Sequence, residues 1–386
     1  MAVIHVLDKH TAELIAAGEV VERPASVVKE LTENAIDAGA TAVSVSVERG
    51  GIAMIQIADN GCGIEAEYIP TAFIRHATSK IEKEEDLESI HTLGFRGEAL
   101  ASVASVSRIE LLTKTDADEY ASLYRISGGE EQGIEPAARP VGTTITVRDL
   151  FYNTPARMKF LKKDTSEGNY VADVVTQLAL SHPEVSFKFV RDGKPQFQTP
   201  GDGKLLGAAY AVLSRDFAKD LVPVEHTAGS YTVRGLVTPP KNARASRAMQ
   251  YFFINGRFVK NRTMMAALEA AYKGVMMQGK FPGCVLSIEM PPQLVDVTST
   301  RPKQRCVCPG KDVFDAVIKA LNAYSSRRRA RKRCFLSAVR KGRSRRMKRR
   351  RMQLRRRSRP RAPRPKSPRA ARAHCARRPV PFRTHR

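Results

Sequence analysis

Apolar positions at helical and at alternating spacing divide the start of the chain into a helix followed by a hairpin. Residues 25–38 carry apolar side chains on most sides, which is typical of a buried helix. Valine alternates with small residues from Thr41 to Val47, and the period of two resumes at Ile55 and Ile57 after a glycine pair. The pattern therefore predicts a buried helix and then a hairpin whose second strand runs out into Asp59.

Three polar side chains interrupt this helix at intervals of four and three residues, namely Glu30, Asn34 and Asp37. Each residue advances a helix by roughly 100°, so the three fall within an arc of about 60°. Buried carboxylates need a partner or a task. A base for water, an oxygen ligand for magnesium and a supporting acid together suit metal-dependent nucleotide hydrolysis. For the triplet taken alone, the alternative is an ordinary solvated face.

The residues after the second strand add a candidate base-recognition motif. A carboxylate at a strand end, here Asp59, can accept a hydrogen bond from an exocyclic amine such as that of adenine. Gly61 and Gly63 stand where side chains would keep the backbone away from a flat ligand. The alternative is a simple turn, and only the position after the helix triplet favours the nucleotide interpretation.

Two further segments offer groups that suit phosphate. Thr78, Ser79 and Lys80 combine two hydroxyls with a cation. A glycine-flanked turn then enters a predicted helix through Gly94, Phe95, Arg96, Gly97, Glu98, Ala99 and Leu100. Backbone N–H groups at such a helix start attract anions. We therefore expect residues 78–97 to form a lid that orders around a triphosphate, with a plain surface loop as the alternative.

The second half of the chain fits a separate, smaller α/β domain. A break at residues 200–203 precedes a strand, Tyr251 to Ile254, that enters an Asn-Gly turn. A helix over residues 262–273, an alternating strand from Val285 to Met290 and a helix over residues 312–322 complete the unit. The expected domains are thus residues 1–200 and residues 201–325, followed by a tail of residues 326–386.

The tail supplies all of the basic character of the chain. The formal net charge is +26, and residues 326–386 contain 28 Lys and Arg with no Asp or Glu, which leaves −2 for the remainder. The tail is rich in Pro and poor in branched apolar residues, so we expect it to be disordered. It suits weak, salt-sensitive binding to DNA phosphates; an out-of-frame end with no evolved role is the alternative.

Four motifs, taken in order, are similar to those of the GHKL ATPase superfamily of DNA gyrase, heat-shock chaperones, histidine kinases and the MutL family. They are Glu30-x-x-x-Asn34-x-x-Asp37, Asp59-x-Gly61-x-Gly63, the stretch from Gly94 to Leu100, and Gly142-Thr143-Thr144. Residues 15–24, 94–102 and 150–157 narrow the resemblance to the MutL family of mismatch-repair ATPases. The resemblance covers residues 1 to about 322 and argues against a kinase or a chaperone.

The resemblance implies a two-layer, Bergerat-type α/β sandwich followed by a ribosomal-protein-like α/β transducer domain. It also implies ATP and Mg2+ as cofactors, with Glu30 activating water and Asn34 binding the metal. Asp59 would recognise adenine with Thr144 beside it. Phosphates would be held by Ser79, by Lys80 and by the amides near Gly94 and Gly97.

A lysine of the transducer, Lys303, is implied to sense the γ-phosphate. Family members typically show Val-Asp-Val-Asn-Val-His-Pro-x-Lys there, and residues 298–308 do not match although Lys303 keeps the register. A surface lysine is the alternative. A local change of reading frame would explain the segment, and the nucleotide sequence of the gene would refute that hypothesis if no family-like frame underlies it.

By the same resemblance, the partners are DNA, the mismatch-recognition protein MutS, a repair nuclease or helicase, and a second copy in an ATP-dependent homodimer. Relatives continue into a linker and a carboxy-terminal domain, so we expect this chain to lack constitutive dimerisation and endonuclease chemistry. The six cysteines show no zinc spacing, and no apolar run reaches membrane length. These features favour a cytoplasmic protein, and the resemblance implies a nucleoid-associated ATPase. A truncated, catalytically impaired nucleic-acid-binding protein is the alternative.

Overall fold

The computed structural model describes residues 5–6, 8–83, 85–86, 92–295 and 312–321, which contain two mixed β-sheets. The helices of the first part are α1 Lys9–Val20, α2 Pro24–Asp37, α3 Ile69–Ala72, α4 Ala99–Ser105, α5 Pro155–Phe160 and α6 Asp164–Ser181. Its strands are β1 Ala42–Glu48, β2 Met54–Asp59, β3 Arg108–Lys114, β4 Ala121–Ser127, β5 Glu130–Ala137, β6 Gly142–Arg148, β7 Ser186–Arg191 and β8 Lys194–Gln198. The second part contains α7 Leu205–Val212, α8 Arg215–Ala218, β9 Val222–Ala228, β10 Tyr231–Val237, β11 Gln250–Ile254, β12 Arg257–Phe258, α9 Arg262–Ala271, β13 Cys284–Glu289 and a helix over residues 312–321.

The first sheet has eight strands in the order β5-β4-β3-β6-β2-β1-β7-β8 and carries one apolar face. Val45 of β1 pairs with Ile57 of β2, which pairs in turn with Ile145 of β6. Because side chains alternate along a strand, these residues form one row on the same face. Helices cover that face, with Val28 of α2 and Val175 of α6 in the same core. The layer of helices on a sheet confirms the two-layer fold expected for the first part.

Helix α2 is fixed at both ends by features that the sequence carries. Pro24 begins it, where the missing N–H is harmless and φ is already helical. Gly39 follows it with φ +75°, the left-handed conformation that ends many helices. The carbonyl oxygen of Ala38 accepts a hydrogen bond from the backbone N–H of Cys62 at 3.0 Å. The loop after β2 is therefore attached to the last turn of α2, beside Asn34 and Asp37.

The second sheet has five strands in the order β12-β11-β13-β10-β9, and its strands β11 and β13 are buried on both faces. Phe252 and Leu286 belong to a core with α9 and the helix of residues 312–321. Their neighbours Phe253 and Val285 belong to a different cluster, with Phe217 of α8. Consecutive residues of one strand thus enter opposite cores, which is the alternation of a sheet covered on both sides.

Helix α6 takes part in both of these assemblies. Val171 and Val175, in its middle, pack in the core of the first sheet. Leu180, near its end, packs with Phe217 and Phe253 of the second part. One continuous helix of 18 residues therefore belongs to two cores.

The elements predicted for the second part are present with small shifts in their ends. The predicted helix of residues 262–273 is α9, the alternating strand is β13, and residues 312–321 are helical. The predicted tail and Lys303 lie outside the described residues. Within the part of the chain that is described, no helix has the length and apolar character needed to cross a membrane.

Candidate functional site

The three polar residues of α2 lie along one side of the helix, and each has a cation beside it. The ammonium of Lys29 contacts Glu30 Oε1 at 2.9 Å and Glu33 Oε2 at 2.8 Å. Although burial alone would lower the pKa of Lys29, the carboxylates of Glu33 and Glu30 raise it above its ordinary value. Lys29 is therefore a permanent cation that holds two neighbouring carboxylates, and the side chain of Glu30 keeps 33 % of its surface exposed.

Lys80 brings the second segment onto the last turn of α2. Its ammonium donates to Asn34 Oδ1 at 2.9 Å and to Asp37 Oδ2 at 2.5 Å. The carboxylate of Asp37 also accepts hydrogen bonds from the backbone N–H groups of Leu93, at 2.9 Å, and Gly94, at 3.1 Å. Three segments that are far apart in sequence therefore meet at one buried carboxylate.

Asp59 ends β2 and is held through one of its two carboxylate oxygens. Its Oδ1 accepts hydrogen bonds from the N–H groups of Gly61, at 2.9 Å, and Thr143, at 3.1 Å. Among the residues that the structure describes, Oδ2 has no hydrogen-bond partner. Burial raises the pKa of this carboxyl, against the opposing effects of the two N–H groups and the charge of Arg139. The backbone thus fixes the carboxylate while one oxygen stays available to a ligand.

The structure corrects the expected place of Thr144. That residue pairs with Ala58, one position before Asp59, so strand alternation puts its side chain on the opposite face of the sheet. Thr143 shares the face of Ile145 and Val147 and donates its N–H to Asp59. The expectation was wrong by one position, and the apolar period of β6 carried the signal that identifies Thr143.

The two glycines of the Asp59 motif are required by the protein's own backbone. Gly63 has φ +78°, and a Cβ there would overlap the carbonyl group of Lys114. A Cβ on Gly61 would lie 2.9 Å from the Cβ of Ala38 and 3.2 Å from Asp59 Oδ1. Close packing against β3 and α2 accounts for both positions, whereas a flat ligand was expected to require them.

The residues that the sequence suggested for phosphate binding lie where the two ends of the expected lid, residues 78–97, come together. The N–H of His76 donates to the carbonyl of Gly97 at 2.8 Å, and Thr78 Oγ1 accepts from the N–H of Lys80 at 3.2 Å. Ser79 is exposed. A cavity of about 350 Å³ lies here, lined by His76, Thr78, Ile81, Phe95, Arg96 and Glu98. The segments from Thr78 to Lys80 and from Gly94 to Glu98 are therefore neighbours in space.

The turn from Gly94 leads into helix α4, as the sequence predicted. Glu98 is the residue before the helix, and Ala99 and Leu100 form its first turn. Glu98 Oε1 lies 3.4 Å from an Arg75 guanidinium nitrogen. The guanidinium carbon of Arg96 lies 5.5 Å from the centre of the Phe95 ring.

Arg139 is a further residue of the site that the sequence did not reveal. Its guanidinium donates to the carbonyl oxygen of Asp59 at 3.0 Å and to that of Leu112 at 2.8 Å. It therefore ties the end of β2 to β3. Because both contacts are to backbone oxygens 80 and 27 residues away, no local pattern could have indicated them.

The donor set around Asn34 fits a magnesium ion. No cluster of three or more His, Cys, Asp or Glu side chains suited to a metal occurs among the described residues. Magnesium commonly takes only one or two protein oxygens and completes its shell with substrate phosphates and water. In this structure Asn34 Oδ1 accepts a hydrogen bond from the ammonium of Lys80, so a magnesium ion bound there would take the place of that ammonium.

Two family models match the chain. Residues 22–139 match the family of histidine kinase-, DNA gyrase B- and HSP90-like ATPases, and residues 209–321 match the C-terminal domain family of DNA mismatch repair proteins.

Relatives and solved structures agree with these models. The chain is 48 % identical over 283 residues to DNA mismatch repair protein MutL of Agathobacter rectalis, covering 73 % of this chain and 44 % of the relative. Identity to DNA mismatch repair protein MutL of Geobacillus thermodenitrificans is 49 % over 297 residues, covering 77 % of this chain and 46 % of that relative. The Aquifex aeolicus MutL ATPase domain complexed with ADP is similar in structure, with a TM-score of 0.57, 27 % identity, and coverage of 77 % of this chain and 98 % of that one.

A crystal structure of the N-terminal domain of a DNA repair protein shares the fold, with a TM-score of 0.69, 24 % identity, and coverage of 82 % of this chain and 98 % of that one. The chain spans about half the length of the curated relatives it matches. Across the part that carries the two sheets, the agreement of sequence and fold shows that the chain belongs to the MutL family of DNA mismatch repair proteins.

Proposed function

We propose that this site binds ATP with Mg2+ and hydrolyses it slowly, and that the nucleotide acts as a conformational switch in DNA mismatch repair. One observation carries the proposal: the last turn of α2 gathers Asn34, Asp37, Lys80 and Gly94 within hydrogen-bond distance, next to the loop that begins at Asp59. The cluster joins an oxygen ligand, a cation and backbone amides, which are the groups that a metal-bound polyphosphate needs.

Asp59 is the proposed adenine-binding group. Its Oδ1 is engaged by two backbone N–H groups, so Oδ2 is the oxygen placed to accept the exocyclic amine. Thr143 and Arg139 hold Asp59 in place, and Gly61 and Gly63 allow the loop its close packing.

Phosphate binding is assigned to Ser79, Lys80 and the backbone N–H groups near Gly94 and Gly97. The ammonium of Lys80 rests on Asn34 and Asp37, so it would move toward the phosphates as they enter. Magnesium, when bound, would neutralise charge on the phosphates, and Asn34 Oδ1 would hold it. Lys303 is proposed as the sensor of the terminal phosphate from the sequence alone.

Glu30 is the proposed general base. Its carboxylate lies one helical turn before Asn34 on the same side of α2, and a third of its side-chain surface is exposed to solvent. It can therefore take a proton from a water molecule that attacks the terminal phosphate.

The organisation and partners of the chain are proposed in the same way. Residues 1–200 would form the ATPase domain and residues 201–325 the transducer. Partners would be DNA, the mismatch-recognition protein MutS, a repair nuclease or helicase, and a second copy when ATP is bound.

Replacing Glu30 tests the proposal directly. Glu30→Ala should retain binding of a non-hydrolysable ATP analogue and lower kcat for ATP by roughly 100-fold or more, because the base is lost. Glu135→Ala is a matched control, since Glu135 lies exposed on the edge strand β5 and pairs with Arg125. Equal turnover in Glu30→Ala and the control would remove Glu30 as the base. Binding of nucleic acid without any ATP turnover in the unchanged protein would favour the impaired, non-enzymatic alternative.

A further inference from the structure

A guanidinium from the second sheet reaches residues 92–94, which contact the last turn of α2. Arg257, the first residue of β12, donates from Nη2 to the carbonyl oxygen of Thr92 at 2.7 Å. The two residues are 165 positions apart in the chain. The contact joins the α/β unit of the second sheet to residues 92–94, which lie against α2.

The turn that presents Arg257 is fixed at both of its sides. Asn255 and Gly256 have φ values of +46° and +80°, and the Asn255 side chain exchanges two hydrogen bonds of 2.9 Å with the backbone of Met290. The hydroxyl of Ser181, at the end of α6, donates to the carbonyl of Gly256. Arg257 therefore extends from a backbone that is tied to β13 and to α6.

The contacted segment is tied, in turn, to the metal ligand. Thr92 Oγ1 donates to the carbonyl of Gly94 at 2.7 Å, which makes residues 92–94 a compact turn. The N–H groups of Leu93 and Gly94 donate to Asp37. Asp37 shares the ammonium of Lys80 with Asn34. A continuous series of polar contacts thus leads from Arg257 to Asn34.

We propose that Arg257 is a positioning residue that couples the second sheet to the nucleotide site, by holding residues 92–94 on Asp37. This inference rests on the proposed function for its second half, because the coupling acts on bound nucleotide. The first half, the fixing of Leu93 and Gly94, is a property of the protein without ligand.

Hydrogen exchange of the full chain without nucleotide tests the first half. In Arg257→Ala the amides of Leu93 and Gly94 should exchange about tenfold faster, a factor that the loss of one charge-assisted hydrogen bond supports. Arg257→Lys, which keeps a donor, should restore most of the protection. Arg234→Ala is the matched control, because Arg234 pairs with Glu225 and Glu289 within the second sheet. Exchange at Leu93 and Gly94 that is equal in Arg257→Ala and the control overturns the proposal.

The coupling is tested by adding a non-hydrolysable ATP analogue with Mg2+. In the unchanged protein the analogue should slow exchange across β11 and β12, and in Arg257→Ala that response should be lost even at saturating analogue. An undiminished response in Arg257→Ala overturns the coupling. If the unchanged protein binds no analogue, the proposed function fails, while the ligand-free exchange still decides whether Arg257 holds residues 92–94.

Discussion

Asp59 shows how one side chain can serve the fold and the ligand with different atoms. Its Oδ1 joins the loop at Gly61 to the start of β6 at Thr143, and Oδ2 has no partner among the described residues. The backbone contacts would keep the carboxylate oriented before the nucleotide arrives, which lowers the entropy that binding must overcome. At the scale of the residue, the proposed recognition of adenine would therefore depend on a group that the protein has already immobilised.

Asp59→Asn should separate these two roles. The amide oxygen can still accept from Gly61 and Thr143, so the free energy of unfolding should change by about 1 kcal/mol or less. The amide nitrogen cannot accept from adenine, so affinity for an ATP analogue should fall by roughly 10- to 100-fold. Calorimetric titration measures the affinity, with the exposed Asp216, replaced by Asn, as the control. An unchanged affinity would discard the adenine assignment.

Asp59→Asn also removes a pH dependence of stability that the unchanged protein should show. Burial raises the pKa of the Asp59 carboxyl in the folded protein above its ordinary value of 3.8. At pH values between 3.8 and the pKa of the folded state, the folded protein therefore binds more protons than the unfolded chain. The folded state of the unchanged protein therefore loses stability as pH rises through that window, and Asp59→Asn does not. Thermal denaturation across the acidic range should show the difference growing in favour of the variant as pH rises.

At the scale of elements, the site depends on contacts between the ends of segments. The loop after β2 joins the end of α2, and the segments at His76 and Gly97 join each other just before α4. Gly97 has φ +62°, and a Cβ on it would overlap the backbone of Ala77. The approach of the two phosphate-type segments is therefore as close as the backbone allows.

Gly97→Ala should push these segments apart. The left-handed conformation alone costs an alanine about 1 to 2 kcal/mol, and the overlap with Ala77 adds to that cost. Gly193→Ala is the matched control, because Gly193 has φ +72° with open space around it. Affinity for an ATP analogue should fall at least tenfold in Gly97→Ala and stay unchanged in Gly193→Ala. Equal affinities, with unfolding by denaturant as the stability check, would show that the approach of the segments is not needed.

The sequence predicted the elements whose burial is periodic. Helix α2, the β1–β2 hairpin and β13 were predicted because their apolar side chains recur about every 3.6 residues in the helix and every 2 residues in the strands. Strand β5 is exposed along almost its whole length, so no alternation marks it. The sequence suggested candidate site residues only where a motif is local. Arg139 and Arg257 donate to backbone oxygens far away in sequence. Thr143 was missed because the motif was matched by position alone, without asking which face of β6 each side chain is on.

At the scale of the whole molecule, charge divides the chain at about residue 325. The formal charge is −2 up to residue 325, and residues 326–386 hold 28 cationic side chains with no acidic one. A nearly neutral body has little electrostatic attraction for a phosphate backbone, whereas such a tail has a great deal. DNA affinity should therefore depend mainly on the tail.

Deleting residues 326–386 should flatten the salt dependence of DNA binding. For the full chain, the logarithm of the association constant should fall with the logarithm of salt concentration by about 0.9 per phosphate neutralised. The shortened chain should bind duplex DNA more weakly and with a slope closer to zero. Fluorescence anisotropy at several salt concentrations measures both slopes. Equal slopes would locate the binding surface within the body.

Helix α6 sets how the two halves respond to disturbance. Its 18 residues span about 27 Å. Its side chains pack both in the core of the eight-stranded sheet and in the cluster around Phe217. A displacement of α6 that loosens one of these cores therefore also loosens the other. Heat or denaturant that unfolds one half therefore removes a helix that the other half packs against, so the two sheets should unfold at a common melting temperature.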